Sequence, residues 1–250
     1  MASILRARGI RPTWYAGPET LLGEFWTMLH LPYTGMVLAF VVIGAAAAPR
    51  LSWTLLAGTL LAYFLGLGIG AHFLDQVPGM GSRYVTRWPT WGLWTVGSLA
   101  LGAAVAIGIV GSVWFVGPPL LLLVGVQALC AIGYPLASWF GGALHRDSVF
   151  ALSWGSLPFL TSFYAQTQTV TAESLVLGAI FGGVALLEIR LSRASRRLRS
   201  EARSESPSVG PESSSAMVRF RSLDIALEIL SLGTILLSLG IFADRLGLLV

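Results

Sequence analysis

The sequence predicts an all-α integral membrane protein, a bundle of about seven transmembrane helices with its N-terminus inside and its C-terminus outside. Three observations predict it. Of the 250 residues 55% are hydrophobic and 11% charged, with a mean hydropathy of +0.75, too little polar surface to coat a soluble globule. A helical span needs about 20 mostly apolar residues, and runs of that kind fall at 31–48, 53–73, 91–110, 113–134, 149–166, 174–189 and 223–243. All sixteen basic residues are arginine, and with an internal N-terminus fourteen fall on the inner side, leaving only Arg50 and Arg245 outside. That asymmetry is the positive-inside pattern of a cytoplasmic membrane protein. It also accounts for the net charge of +4 without nucleic acid, because the arginines hold orientation next to anionic headgroups.

Along the chain, residues 1–30 form an N-terminal interfacial segment. Within ETLLGEFWTMLH, the side chains Leu21, Leu22, Phe25, Trp26 and Leu29 recur at helical spacing, so one apolar face is available to lie in the membrane surface. Residues 31–190 form a six-span membrane bundle. Its glycine-rich patches suit helices whose backbones approach closely, Pro118 and Pro119 turn the chain between the third and fourth spans, and Pro135 ends the fourth. Residues 191–222 begin SRASRRLRSEARSESPSVGPESSSA when read from Ser192, a composition that builds no core and reads as a flexible cytoplasmic loop, available to a protein partner. Residues 223–250 carry the last transmembrane helix. The lone Cys130 lies within the fourth run, forms no intrachain disulfide and reads as a small buried hydrophobe.

The polar residues that remain concentrate at one depth. His72 and Asp75, in GIGAHFLD, end the second span on one helix face, and His145 and Asp147, in GGALHRD, open the fifth. His30 opens the first span on the same side. Asp147 doubles as an N-cap for the fifth span, and His72 with Asp75 doubles as a helix-end pair. Arg83 and Arg87, at i, i+4, serve either as topological anchors or as phosphate ligands through their planar forks. Carboxylates beside arginines under an apolar bundle suit Mg²⁺ and a diphosphate with a long isoprenoid tail.

The segment AHFLD, followed by SRYVTRWP and TWGLW, resembles the first aspartate-bearing motif and the opening of the third span in the UbiA-type prenyltransferase superfamily. The interfacial helix, the internal N-terminus and the cytoplasmic site agree with it over roughly the first 110 residues. The departures are that Asp75 stands alone where that family carries several aspartates and an asparagine, and that Asp147 is the only match to a second cluster. Two helices intervene between the motifs instead of four, and the spans number seven instead of nine. The resemblance implies metal binding by Asp75 and Asp147 with Mg²⁺ as cofactor. It implies substrate binding by Arg83, Arg87, His72 and His145, and transfer of a prenyl group from an isoprenoid diphosphate to an aromatic or lipid acceptor. The competing expectation is a non-catalytic membrane scaffold or a small-solute carrier.

Overall fold

The computed structural model describes residues 13–79, 87–204 and 215–248, and every regular element among them is helical. A short helix α1 (Leu21–Met28) leads into α2 (Leu31–Ala46), and the pair bends by 42°. The helix α3 (Trp53–Asp75) is π-helical over Phe64–Ala71, α4 (Thr90–Val116) over Ser112–Val116, and α5 spans Leu120–Gly133. A 3₁₀ turn (Ala137–Phe140) precedes α6 (147–167), which is π-helical over Leu152–Ser156. Two long helices, α7 (Ala172–Ser204) and α8 (Ser215–Arg245), complete the chain.

Four helices are long and apolar enough to cross a membrane, namely α3, α4, α7 and α8, and a fifth span exists if the bent α1–α2 pair is one. The apolar run after Pro119 yields α5 at only 14 residues, and α6 is interrupted by its π-helical turn. Exposed Leu, Ile, Val and Trp side chains stud α4, α7 and α8, for example Leu99, Trp114, Val176, Ile229 and Leu236, as a lipid-facing surface requires.

At the centre lies α2, whose Met36, Val37, Phe40, Val41 and Ala45 are all buried. One apolar cluster joins Val37 and Val41 to Tyr63, Leu67, Ala71 and Leu74 of α3, Leu101 of α4, Ala131 of α5 and Trp154 of α6. A second joins Tyr33, Phe40 and Ile43 to Phe159 of α6 and Leu227 of α8. Helices in lipid gain no hydrophobic drive from meeting, so small residues carry the close crossings. A Cβ at Gly44 would come within 2.4 Å of the Phe159 carbonyl, and one at Gly155 within 2.4 Å of the Phe181 carbonyl, which places α2 on α6 and α6 on α7.

The charged stretch after residue 190 corrects the expected flexible loop. Residues 191–204 continue α7 as helix, and α8 already begins at Ser215. Along this extension Ser192, Ser195, Arg199 and Ala202 are buried in a stripe at helical spacing, the last three facing α8. Arg199 pairs with Asp224 and stacks over Phe220, Ser195 donates to Asp224 at 2.6 Å, and Ala202 packs with Phe220. Polar side chains that find partners on the neighbouring helix thus hold a helix that composition alone assigned to solvent.

The bundle has two polar poles. At one, Arg245 donates to the carbonyls of Ala48 and Pro49, Ser52 exchanges two hydrogen bonds with Gln166, and Trp53 meets Phe242 edge-on. At the other lie all three histidines.

Candidate functional site

The histidine pole is assembled from six elements. The α1–α2 junction supplies His30, which adopts a left-handed backbone at φ 46°. A non-glycine residue in that region is held there by its surroundings, and its ring explains how: Nδ1 bonds the Met28 carbonyl at 2.7 Å while the ring stacks on His72 with centroids 4.4 Å apart. His72 follows directly on the π-helical run of α3, and its Nδ1 bonds the Gly68 carbonyl at 3.1 Å. One turn on, Asp75 accepts from Gln76 Nε2 at 3.3 Å, and Gln76 is fully buried.

The second half comes from the α5–α6 connection. Pro135 ends α5, so Tyr134 stays at the helix end. There its ring stacks on His145 at 4.4 Å, and its carbonyl bonds His145 Nδ1 at 3.0 Å. Tyr134 also meets Phe150 and Trp154, which stack on each other at 4.8 Å, giving the pole an aromatic wall.

Asp147 departs from the expected cap. Arg146 holds the cap position with no side-chain hydrogen bond, and the Asp147 carboxylate instead meets Arg190 and Arg193 of α7. Arg193 also donates from Nη2 to the Tyr134 hydroxyl at 3.1 Å, tying α7 to the end of α5.

The segments 72–76 and 145–147 therefore do converge: Asp75 lies within electrostatic range of His145, and also of Tyr134. Arg196 of α7 lies within range of His30, Asp75, Tyr33 and Glu188. Arg196 is exposed, and among the described residues its guanidinium makes one hydrogen bond, from Nη1 to Ser192 Oγ at 2.7 Å. Glu188, one turn back toward the bundle from Ser192, is only 4% exposed, and among the described residues no hydrogen bond or ion pair reaches its carboxylate. Arg193 and Arg196 lie within electrostatic range of it.

Of the sequence-predicted residues, His72, Asp75, His145 and Asp147 meet at this pole. Arg87 does not face it: the Glu24 carboxylate of α1 accepts from Arg87 N at 2.9 Å and from Arg87 Nη1 at 3.4 Å, pinning the interfacial helix. Arg83 lies outside the described residues. The sequence reading missed Glu188, Arg193, Arg196, Tyr33 and Tyr134. Their signal was the spacing Glu188, Ser192, Arg196 at i, i+4, i+8, a polar stripe visible once 191–204 is taken as helix.

A magnesium site needs oxygen ligands gathered on one point. Among the described residues no three acidic, histidine or cysteine side chains form such a group, and Asp147 is already held by two arginines. Arg193 and Arg196 are anion-binding groups at this pole.

The chain matches no protein-family model, and no curated protein and no solved structure is detectably similar to it.

Proposed function

We propose that the protein spans the cytoplasmic membrane seven times, N-in and C-out, and that its histidine pole faces the cytoplasm and binds the diphosphate of an isoprenoid, as the UbiA resemblance implies. The observation that carries this reading is Arg196, an exposed guanidinium with a single hydrogen bond among the described residues, set within electrostatic range of His30 and Asp75. A planar cation with donors to spare is suited to bidentate phosphate contact.

In the transfer this reading entails, the bond between the allylic carbon and the diphosphate oxygen breaks and its electron pair leaves with the diphosphate. Arg196 offsets the charge that develops there. The aromatic wall of Tyr134, Phe150 and Trp154 faces the allylic cation through its ring quadrupoles. An acceptor closes the new bond with its own electron pair and releases a proton, for which Glu188 and His72 are the nearby bases.

A second reading, a carrier for a small solute coupled to protons, is favoured by Glu188 alone, since a buried carboxylate inside a membrane bundle marks ion and proton pathways. Equilibrium binding of radiolabelled farnesyl diphosphate to the detergent-purified protein separates the two. The wild type should bind saturably, and Arg196→Gln should weaken binding by about tenfold or more, the worth of a charge-assisted hydrogen bond. Equal binding by both proteins, or none by either, removes the diphosphate reading and leaves the carrier.

A further inference from the structure

A cavity of about 220 Å³ lies between α3, α4, α5 and α6, on the half of the bundle nearer the Arg245 pole. Leu67, Leu101 and Ala131 belong both to its floor and to the central apolar cluster, which separates it from the histidine pole. Its walls are mostly apolar; Thr59 on α3 turns its hydroxyl to the Leu55 carbonyl, and a group of polar side chains gathers one turn above that floor. There Tyr63, 5% exposed, donates to Thr161 Oγ1 at 2.9 Å and lies 3.4 Å from Gln127 Oε1, while Gln127 Nε2 donates to the fully buried Ser153 at 2.7 Å.

Two features argue for an occupant. The first is room: a Cβ built on Gly58, in the α3 wall, meets nothing within 4 Å, although other glycines of the same helix, such as Gly66 and Gly70, already touch α4. The second is the inventory of donors. A primary amide carries two N–H groups and a threonine hydroxyl one O–H; among the described residues one N–H of Gln127 is used and Thr161 acts only as an acceptor. Thr161 is buried and Gln127 half-buried, and donors that lack acceptors are costly where water is excluded. An oxygen placed beside them would satisfy them.

We propose that this cavity binds the uncharged head of a membrane-soluble molecule bearing one carbonyl or hydroxyl oxygen, with its apolar tail left in the bilayer. Size sets the head: a cavity of about 150 Å³ accommodates benzene, so one of about 220 Å³ holds a head of about nine non-hydrogen atoms or the first prenyl units of an alcohol. A phosphorylated head is excluded, because no cationic side chain lines the site. A quinone and a prenol share the required chemistry.

Binding of radiolabelled farnesol and of a decyl-substituted benzoquinone to the full-length protein in detergent tests this, beside undecane as a probe without oxygen. The wild type is expected to bind one or both oxygenated probes saturably, and which of them identifies the source. Gly58→Leu fills the cavity where there is room and is expected to abolish binding while circular dichroism and melting stay unchanged. Gln127→Leu is expected to weaken the oxygenated probes about tenfold, the worth of one buried hydrogen bond, and to leave undecane unchanged. Partition of the probes that is equal in wild type and Gly58→Leu, or no saturable binding by the wild type, would overturn the proposal. Failure of the diphosphate reading leaves this result untouched, since none of these probes carries phosphate.

Discussion

Arg199 and Asp224 show how a charge is kept at the margin of an apolar bundle. Their side chains are 6% and 14% exposed, and Ser195 and the Phe220 ring complete the site. Breaking a buried ion pair from one side costs more than replacing both of its members with apolar residues. Asp224→Leu is therefore expected to destabilise the protein by about 3 kcal/mol, and the double replacement with Arg199→Leu by clearly less. Thermal melting of the two single variants and the double variant in one detergent reads this directly, and additive losses would contradict it. Residues of this kind were the hardest to read from sequence. His72, Asp75, His145 and Asp147 stood out because a charged or imidazole group is conspicuous at the end of an apolar run. Glu188 and Arg196 sat where apolar sequence gives way to charge, a place at which an anchoring residue and a site residue have the same composition. Only the groups of α2, α3 and α5 within their electrostatic range distinguish them.

At the scale of elements, periodicity and composition found the apolar runs and a short helix near residue 21, but they put the break between the third and fourth runs at 110–113, inside α4, and ended the sixth run too early. The 191–204 stretch looked like a loop because it is rich in arginine and serine; it is helix because α8 supplies Asp224 and Phe220 to its buried stripe. That is tertiary packing overriding local composition, which a count of residue types does not register. The three π-helical turns were equally invisible. One of them, Phe64–Ala71, ends directly before His72, so its altered winding sets the direction in which that ring leaves the helix. Glycines give the element scale its sharpest test. Gly155→Ala places a methyl within 2.4 Å of a carbonyl at the α6–α7 crossing and is expected to cost about 1–3 kcal/mol, whereas Gly58→Ala enters open space and should be neutral. Comparable melting temperatures for the two variants would mean that the crossing is looser than described.

The whole molecule has an apolar middle, one pole closed by Arg245 against backbone carbonyls and another crowded with histidines, carboxylates and arginines. The proposed topology predicts their sides. In a Cys130→Ala background, a cysteine placed at residue 146 should react with a membrane-impermeant maleimide only after the cytoplasmic side is opened, and one at residue 50 in intact cells; the reverse pattern would invert the orientation. The sequence made the membrane class and the gathering of histidines at one depth legible, because both follow from where charge is tolerated along a span. It left the α7 contribution and the cavity beside Gln127 unread, since both depend on which helices neighbour one another. The most direct test of the histidine pole as a diphosphate site is photo-cross-linking with a farnesyl diphosphate analogue that carries its reactive group on the terminal phosphate, followed by peptide mapping. Labelling confined to the peptides that contain His30, His72 to Gln76, His145 and Glu188 to Arg196, and competed away by farnesyl diphosphate, is the predicted result. Labelling elsewhere, or labelling that the competitor leaves unchanged, would contradict the assignment.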